Sequence, residues 1–328
     1  MTALTDLIMQ NYPAASADAA PTTQLRTLEI GHNCMEDAGF LALVPLVKAS
    51  PLLQTLRIST TRVRNNLGGG VAMCRTLLDL HHLRSLSLND NNLGEESGAV
   101  LAQVIRNNAA HLSFLNLGDI GVGEEGIAAV MAAIADIKPN TLTHLDLSAN
   151  ELTPSSVRVL ARIARRHSAS LQHLKLEDNE LKSGGVLRLL RDLAKCKQLT
   201  YLNLTNNQLG ERCGAALVRF LAAMPQLREV HLNGNRFSAA TLEAIQTAVA
   251  QASGEDALAT ISDNDEDDED EDEGDEEEAE VSDEEDVAAQ ADKAEAEEAE
   301  GDKAEAKAAA EADKDVEALT AGLAATTV

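Results

Sequence analysis

The 328-residue chain carries few of the signatures that mark enzymes, secreted proteins or membrane proteins. Its four cysteines, Cys34, Cys74, Cys196 and Cys213, lie far apart and form no CxxC pair. Neither a disulfide framework nor a zinc site is expected, and reduced thiols in or near a core follow instead. There is no run of about 18 apolar residues, so no membrane-spanning helix is expected. The opening MTALTDLIMQNYP lacks a basic segment followed by a long apolar one and does not read as a signal peptide. No phosphate-cradling GxxxxGK followed by Ser or Thr occurs, and the eight histidines show no HExxH spacing. No Ser/His/Asp or paired-carboxylate constellation can be placed on one face. No cofactor, no metal and no independent enzymatic activity are expected.

Positive charge is the other scarcity, and it is uneven. Residues 255–328 hold 32 acidic and 4 basic residues, a net −28, while residues 1–254 hold 22 acidic and 23 basic residues, a net +1. A nearly neutral body thus precedes an acidic arm. Such an arm repels phosphates, so nucleic acid is not an expected partner; a basic protein surface is.

What the sequence has is periodicity. The pattern LxxLxLxxN begins at Leu25, Leu53, Leu83, Leu112, Leu142, Leu171, Leu199 and Leu227, at steps of 28 to 30 residues. Eight matches at near-constant spacing identify a leucine-rich repeat solenoid. In each repeat the LxL segment is a short strand with its leucines turned inward, and stacking the strands makes a parallel sheet. Asn33, Asn91, Asn150, Asn179, Asn207 and Asn235 are expected to satisfy loop backbone groups after each strand. A helical pattern follows, as in GEESGAVLAQVIRNN, where residues 100, 101, 104 and 105 form one apolar face. The expected fold is an α/β horseshoe of the ribonuclease-inhibitor-like class, with strands on the concave face and helices on the convex one. Gly39, Gly98, Gly126, Gly185 and Gly214, six or seven residues after the Asn position, are read as scaffold that lets the helix pack close. The expected organisation is a helix and linker over 1–24, eight repeats over 25–254, a disordered acidic region over 255–286, and a partly helical Ala/Glu/Lys-rich tail over 287–328.

Taken in order, SPLLQTLRISTTRV (50–63), LNDNNLGEESGAVL (88–101), LDLSANELT (145–153) and LNGNRFSAATLEAI (232–245), followed by the acidic run, resemble the later repeats of the Ran GTPase-activating protein family. The similarity covers roughly residues 25–286. It implies a protein that binds a Ran-type small GTPase, orders the GTPase's own catalytic glutamine and acts in nucleocytoplasmic transport, with hydrolysis performed by the partner. The family's important arginine lies on an earlier loop. No segment of 1–24 matches that loop, and of the residues preceding the Asn position only Asn206 has the side chain of the family's important asparagine. No catalytic residue is therefore assigned. The expectation is either a chain that begins within the domain or a shortened relative.

Two other readings stay open: a non-catalytic repeat scaffold, and an acidic leucine-rich histone-binding protein, against which the repeat length of 28–30 argues. Partner contacts are expected at outward strand positions, Glu29, Arg57, Ser87, Asn116, Asp146, Lys175, Asn203 and His231, and at the loop residues Arg62, Arg64, Asn89, Asp90 and Asp119. A monomer in the cytoplasm, the perinuclear region included, is the expected state.

Overall fold

The computed structural model describes residues 22–31, 36–59 and 68–259, together with Asp6, Ile261 and Asn264. The chain divides into two units, 1–268 and 269–328, and all the described residues belong to the first. Among the described residues, eight strands form one parallel sheet in chain order: β1 (Thr27–Gly31), β2 (Thr55–Ser59), β3 (Ser85–Ser87), β4 (Phe114–Asn116), β5 (His144–Asp146), β6 (His173–Lys175), β7 (Tyr201–Asn203) and β8 (Glu229–His231). Each strand but the last is joined to the next through a helix, as parallel neighbours require. The helices are α1 (Glu36–Lys48), α2 (Gly69–Leu77), α3 (Glu96–Asn107), α4 (Gly123–Ala135), α5 (Val157–Arg166), α6 (Lys182–Leu193) and α7 (Glu211–Ala222), and α8 (Ala239–Ser253) follows β8. The architecture is a leucine-rich repeat solenoid.

The register has no slip. Leu56, Leu86, Leu115, Leu145, Leu174, Leu202 and Val230 pair rung to rung, and all are buried. Ile58, Leu88, Leu117, Leu147, Leu176, Leu204 and Leu232 stand two residues on, also buried. Alternation sends both sets to the same side of the sheet. There they meet the apolar faces of the helices, for example Leu101, Val104 and Ile105 of α3. Two helix starts touch through backbone: a Cβ on Gly98 would collide with the Cα of Gly126, so the small residue at that repeat position sets the α3–α4 distance.

The polar counterpart is the Asn ladder. Asn179 donates from Nδ2 to the carbonyls of Leu147, Leu176 and Glu177 at 3.2, 2.9 and 3.1 Å. Its Oδ1 accepts from the backbone N–H groups of Asn150 and Leu152 at 3.2 and 2.9 Å. Asn235 repeats this two repeats later, accepting from Asn207 and Leu209 and donating to Leu204 and Leu232. Asn91, Asn150 and Asn207 each donate back to the preceding repeat, to Ile58, Leu117 and Leu176. In the fourth repeat Ile120 takes the Asn place and is buried; backbone bonds from Asp90, Asn91 and Leu93 to Gly118, Asp119 and Ile120 tie that loop to the one before. Asn33 lies outside the described residues.

The residue before the ladder position is left-handed in six successive repeats: Asp90, Asp119, Ala149, Asp178, Asn206 and Gly234, with φ from 47° to 64°. Asp, Asn and Gly tolerate that conformation, which accounts for the composition of the position. Ala149 has no such excuse, and the conformation there costs about 1–2 kcal/mol.

The domain runs past residue 254, where the repeat domain was expected to end. Leu258 bridges to Val230, and the Ala259 N–H donates to the Val230 carbonyl at 3.0 Å. The Asn264 side chain accepts from the Asn235 N–H at 3.1 Å. These residues, expected within the acidic region, supply a ninth partial rung that covers the β8 edge. At the other end Thr23, expected in the linker, is buried and bonds to Ala49 and Ser50. Among the expected segments, most of 1–24 and 265–328 lie outside the described residues.

His167, fully buried at the end of α5, accepts from the Leu142 N–H through Nδ1 at 3.4 Å, the place that Asn108 fills for Leu83 two repeats earlier. Burial, helped by the Arg166 charge, lowers its pKa to about 4.

Two expectations follow. Asn179→Ala leaves several buried backbone groups without partners and lowers stability by roughly 2–4 kcal/mol, read as a shift of the urea midpoint at unchanged slope. For His167 the unfolded chain takes up the proton first, near pH 6.5, and the folded chain only near 4. Stability is therefore lost as pH falls between those values, by up to about 3 kcal/mol, with no further loss from this group below pH 4. His167→Asn is expected to flatten that part of the stability–pH curve relative to the parent; identical curves contradict it.

Candidate functional site

The outer face of the sheet carries two rows of side chains, because each strand sends its first and third residues out. The third-position row is Glu29, Arg57, Ser87, Asn116, Asp146, Lys175, Asn203 and His231. The first-position row is Thr27, Thr55, Ser85, Phe114, His144, His173, Tyr201 and Glu229 by the same register. Four consecutive members of that second row are rings.

The rings touch in sequence. Phe114 and His144 have centroids 5.3 Å apart, His144 and His173 stack at 4.1 Å with 14° between planes, and His173 and Tyr201 stack at 5.6 Å. His231, in the neighbouring row, closes the series on Tyr201 at 5.2 Å. The sheet sets this spacing: parallel neighbours in register lie about 4.8 Å apart, near the stacking distance of planar rings. The rings are half-buried by one another while their outer surface faces solvent.

Charged groups flank the row. Arg57 reaches from β2 across β3 to sit 4.8 Å above the Phe114 ring, which is possible because β3 offers only Ser85 and Ser87 in between. Both serines are buried beneath it. Arg57 also pairs with Glu29 at 3.7 Å. Lys175 lies 5.5 Å from the Tyr201 ring and 4.0 Å from Asp146. His231 meets Glu229 at 2.8 Å. Burial lowers the pKa of His144, and the neighbouring His173 and Arg57 add to the effect. Burial also lowers His173; Glu229 opposes the shift and Lys175 reinforces it. Both shifts favour the uncharged imidazoles of His144 and His173.

The residues expected to contact a partner have structural tasks as well. Asn116 accepts from the Gly118 N–H at 3.3 Å. Asn203, expected to face out, is buried, donates to Glu177 at 2.8 Å and accepts from the Thr205 N–H at 2.9 Å. Asn89 accepts from Ser87 and donates to Asp90, which closes the turn after β3. Asp90 and Asp119 hold left-handed turn positions. Asp119 also lines an open groove of about 650 Å³ with Asn92, Glu95, Glu96 and Glu151, and its carboxyl pKa is raised by burial and by Asp90. Glu29 is exposed beside Arg57. Arg62 and Arg64 lie outside the described residues.

The ring row was not anticipated from sequence. A single Phe, His or Tyr before a motif leucine is unremarkable, and only aligning the first strand position across repeats reveals four rings in succession. Among the described residues, no three His, Cys, Asp or Glu side chains are grouped so as to hold a metal ion.

Comparison with known proteins places these features in a family context. Residues 19–262 match the family described as the MHP1/HER1/GIP3 LRR domain. The chain is similar to the Tonsoku-like protein of Mus musculus, with 30% identity over 151 residues, 45% of this chain and 11% of that protein. It is likewise similar to the Tonsoku-like protein of Bos taurus, with 30% identity over 187 residues, 55% of this chain and 13% of that protein. The chain thus spans little more than a tenth of the length of these relatives. Among solved structures it is similar to a tropomodulin C-terminal domain of Caenorhabditis elegans, at 19% identity and a TM-score of 0.40 over 46% of this chain and 90% of that one. It is also similar to Leiomodin-1 Actin-Binding Site 2, at 15% identity and a TM-score of 0.38 over 48% of this chain and 88% of that one.

In a pH titration followed by imidazole NMR signals, His144 and His173 are expected to titrate below an ordinary histidine. Arg57→Ala should move His144 upward, since it removes a facing positive charge. A His144 signal that titrates at the ordinary value in the parent chain contradicts the geometry described.

Proposed function

The chain belongs to the MHP1/HER1/GIP3 LRR domain family, and on that premise we propose that it is a protein-interaction scaffold that seats a partner polypeptide across the outer face of its sheet. The observation that carries the reading is the continuous ring row from Phe114 to Tyr201. Rings held at fixed spacing on a stacked sheet offer contact area at small entropic cost, and aromatic side chains dominate the energetics of interfaces. The flanking pairs Arg57–Glu29 and Lys175–Asp146 supply a polar rim. The scaffold performs no chemistry of its own in this reading. A monomeric, cytoplasmic or perinuclear protein whose acidic arm engages a basic surface completes the proposal.

The finer reading, an activator of a Ran-type GTPase, rests on the ordered resemblance of residues 25–286 and on the acidic run. It assigns Arg57, Asn116 and the loops bearing Asp90 and Asp119 to the GTPase. The scaffold reading is preferred because it draws on the ring row and on the family match together. The histone-binding alternative has only the acidic run in its favour.

The test pairs two measurements on the full chain. Tyr201→Ala with His173→Ala is expected to reduce co-purification of bound proteins by at least about tenfold while costing only about 1–2 kcal/mol of stability through lost stacking, so that the chain stays folded. Unchanged co-purification overturns the scaffold reading of this face. Single-turnover GTP hydrolysis on Ran, with the chain added, decides the finer reading: acceleration supports it, and its absence removes it.

A further inference from the structure

A second face, away from the rings, carries a concentration of charge that the repeat does not require. Helices α5 and α6 pack side by side. On their solvent sides stand Arg158, Arg162 and Arg165 of α5, and Arg188, Arg191 and Lys195 on and just past α6, all exposed. The repeat step of 29 or 30 residues sets them in cross-helix pairs: Arg158 with Arg188, Arg162 with Arg191, Arg165 with Lys195. On one side α4 offers the alanines Ala128 and Ala132, and on the other α7 offers Ala215 and Ala222 with Arg219 between them, one repeat step after Arg191. The fold needs only the buried positions of this template, so the six cations on two adjacent repeats are not explained by packing.

The face already shows what it binds. Asp192, nearly buried, accepts from Arg165 at 3.0 Å and from Lys195 at 2.9 Å, one carboxylate bridging the two helices. Asp136, at the end of α4, lies 3.6 Å from Arg162 and 3.7 Å from Arg106 and bridges helices in the same way. Residues 157–166 and 182–195 hold eight Arg and Lys against one acidic residue, so the face is net positive. Guanidinium groups take carboxylates in a planar fork. Along each helix the cations recur every three or four residues, about 5–6 Å, within reach of acidic side chains spaced about 7 Å on one side of an extended chain. Bases would find no ring to stack on, since the exposed neighbours Ser155, Ala169 and Gly184 carry none.

We propose that the α5–α6 face is a docking surface for an acidic polypeptide segment, with external carboxylates engaging Arg188 and Arg191 in the way that Asp192 engages Arg165 and Lys195. This surface is separate from the ring row and stands whether or not the rings bind a partner.

The test uses the full chain and a fluorescent peptide of about 12 residues with Glu at alternate positions, against the same peptide with Gln and a short DNA duplex. Saturable binding of the Glu peptide is expected, at least about tenfold tighter than the Gln peptide and weakened as salt rises. Arg188→Glu with Arg191→Glu should abolish it, Arg188→Lys with Arg191→Lys should retain part of it, and Tyr201→Ala should leave it unchanged. Equal binding of the Gln peptide, or an undiminished affinity after charge reversal, overturns the proposal. Tighter binding of the duplex through the same arginines overturns it in favour of a nucleic-acid surface.

Discussion

Everything in this solenoid depends on how the backbone leaves the sheet. Each strand is only a few residues long, and the chain must turn at its end while still buried between neighbouring repeats. Carbonyl and N–H groups at that turn are beyond the reach of water, and an unpaired one costs about 1–3 kcal/mol. The Asn carboxamide meets this demand because it donates and accepts at once: Asn179 and Asn235 each give their N–H groups to strand-end carbonyls and take N–H groups of the repeat before. The left-handed residue ahead of the ladder position turns the loop so that the side chain can enter, and the leucines then meet the next helix. Where Ile120 replaces Asn, direct backbone bonds between repeats do the same work.

That constraint also sorts the surface. Loop residues that look like contact points, such as Asp90, Asn89 and Asp119, are used to make the turn. The outward strand positions are freer, since the fold asks of them only that they clear their neighbours. On that freer ground the chain places Phe114, His144, His173 and Tyr201 in a row, with Arg57 laid across the serines of β3. On the helix side the same freedom yields the arginines of α5 and α6. Two chemically distinct faces, one of stacked rings and one of positive charge, thus sit on one regular frame.

The frame was legible in the sequence because its signal is repeated: eight leucine patterns, a constant step and a helix-length spacer admit one architecture. The Asn positions were legible for the same reason. The ring row was not, because the rings differ in type and none alone breaks a pattern. The buried state of Asn203 and Ser87 was hidden because it depends on what neighbouring strands lay over them. The ninth rung was masked by composition: Leu258, Ile261 and Asn264 sit at the edge of an acidic run, and their role is visible only from the β8 edge they cover. The resemblance that pointed to a Ran-type partner drew on four repeat segments in order and the acidic run after them, whereas the family match covers the repeat domain, residues 19–262.

Native-state hydrogen exchange of individual amides tests the central claim most directly. The N–H groups of Leu152 and Leu209 lie in loops, yet each donates to a ladder asparagine, Asn179 and Asn235. They are expected to exchange as slowly as Leu147 and Leu176, which donate across the sheet edge to Lys175 and Asn203. Exchange at the rate of open loops would mean that the Asn ladder does not hold the repeats together.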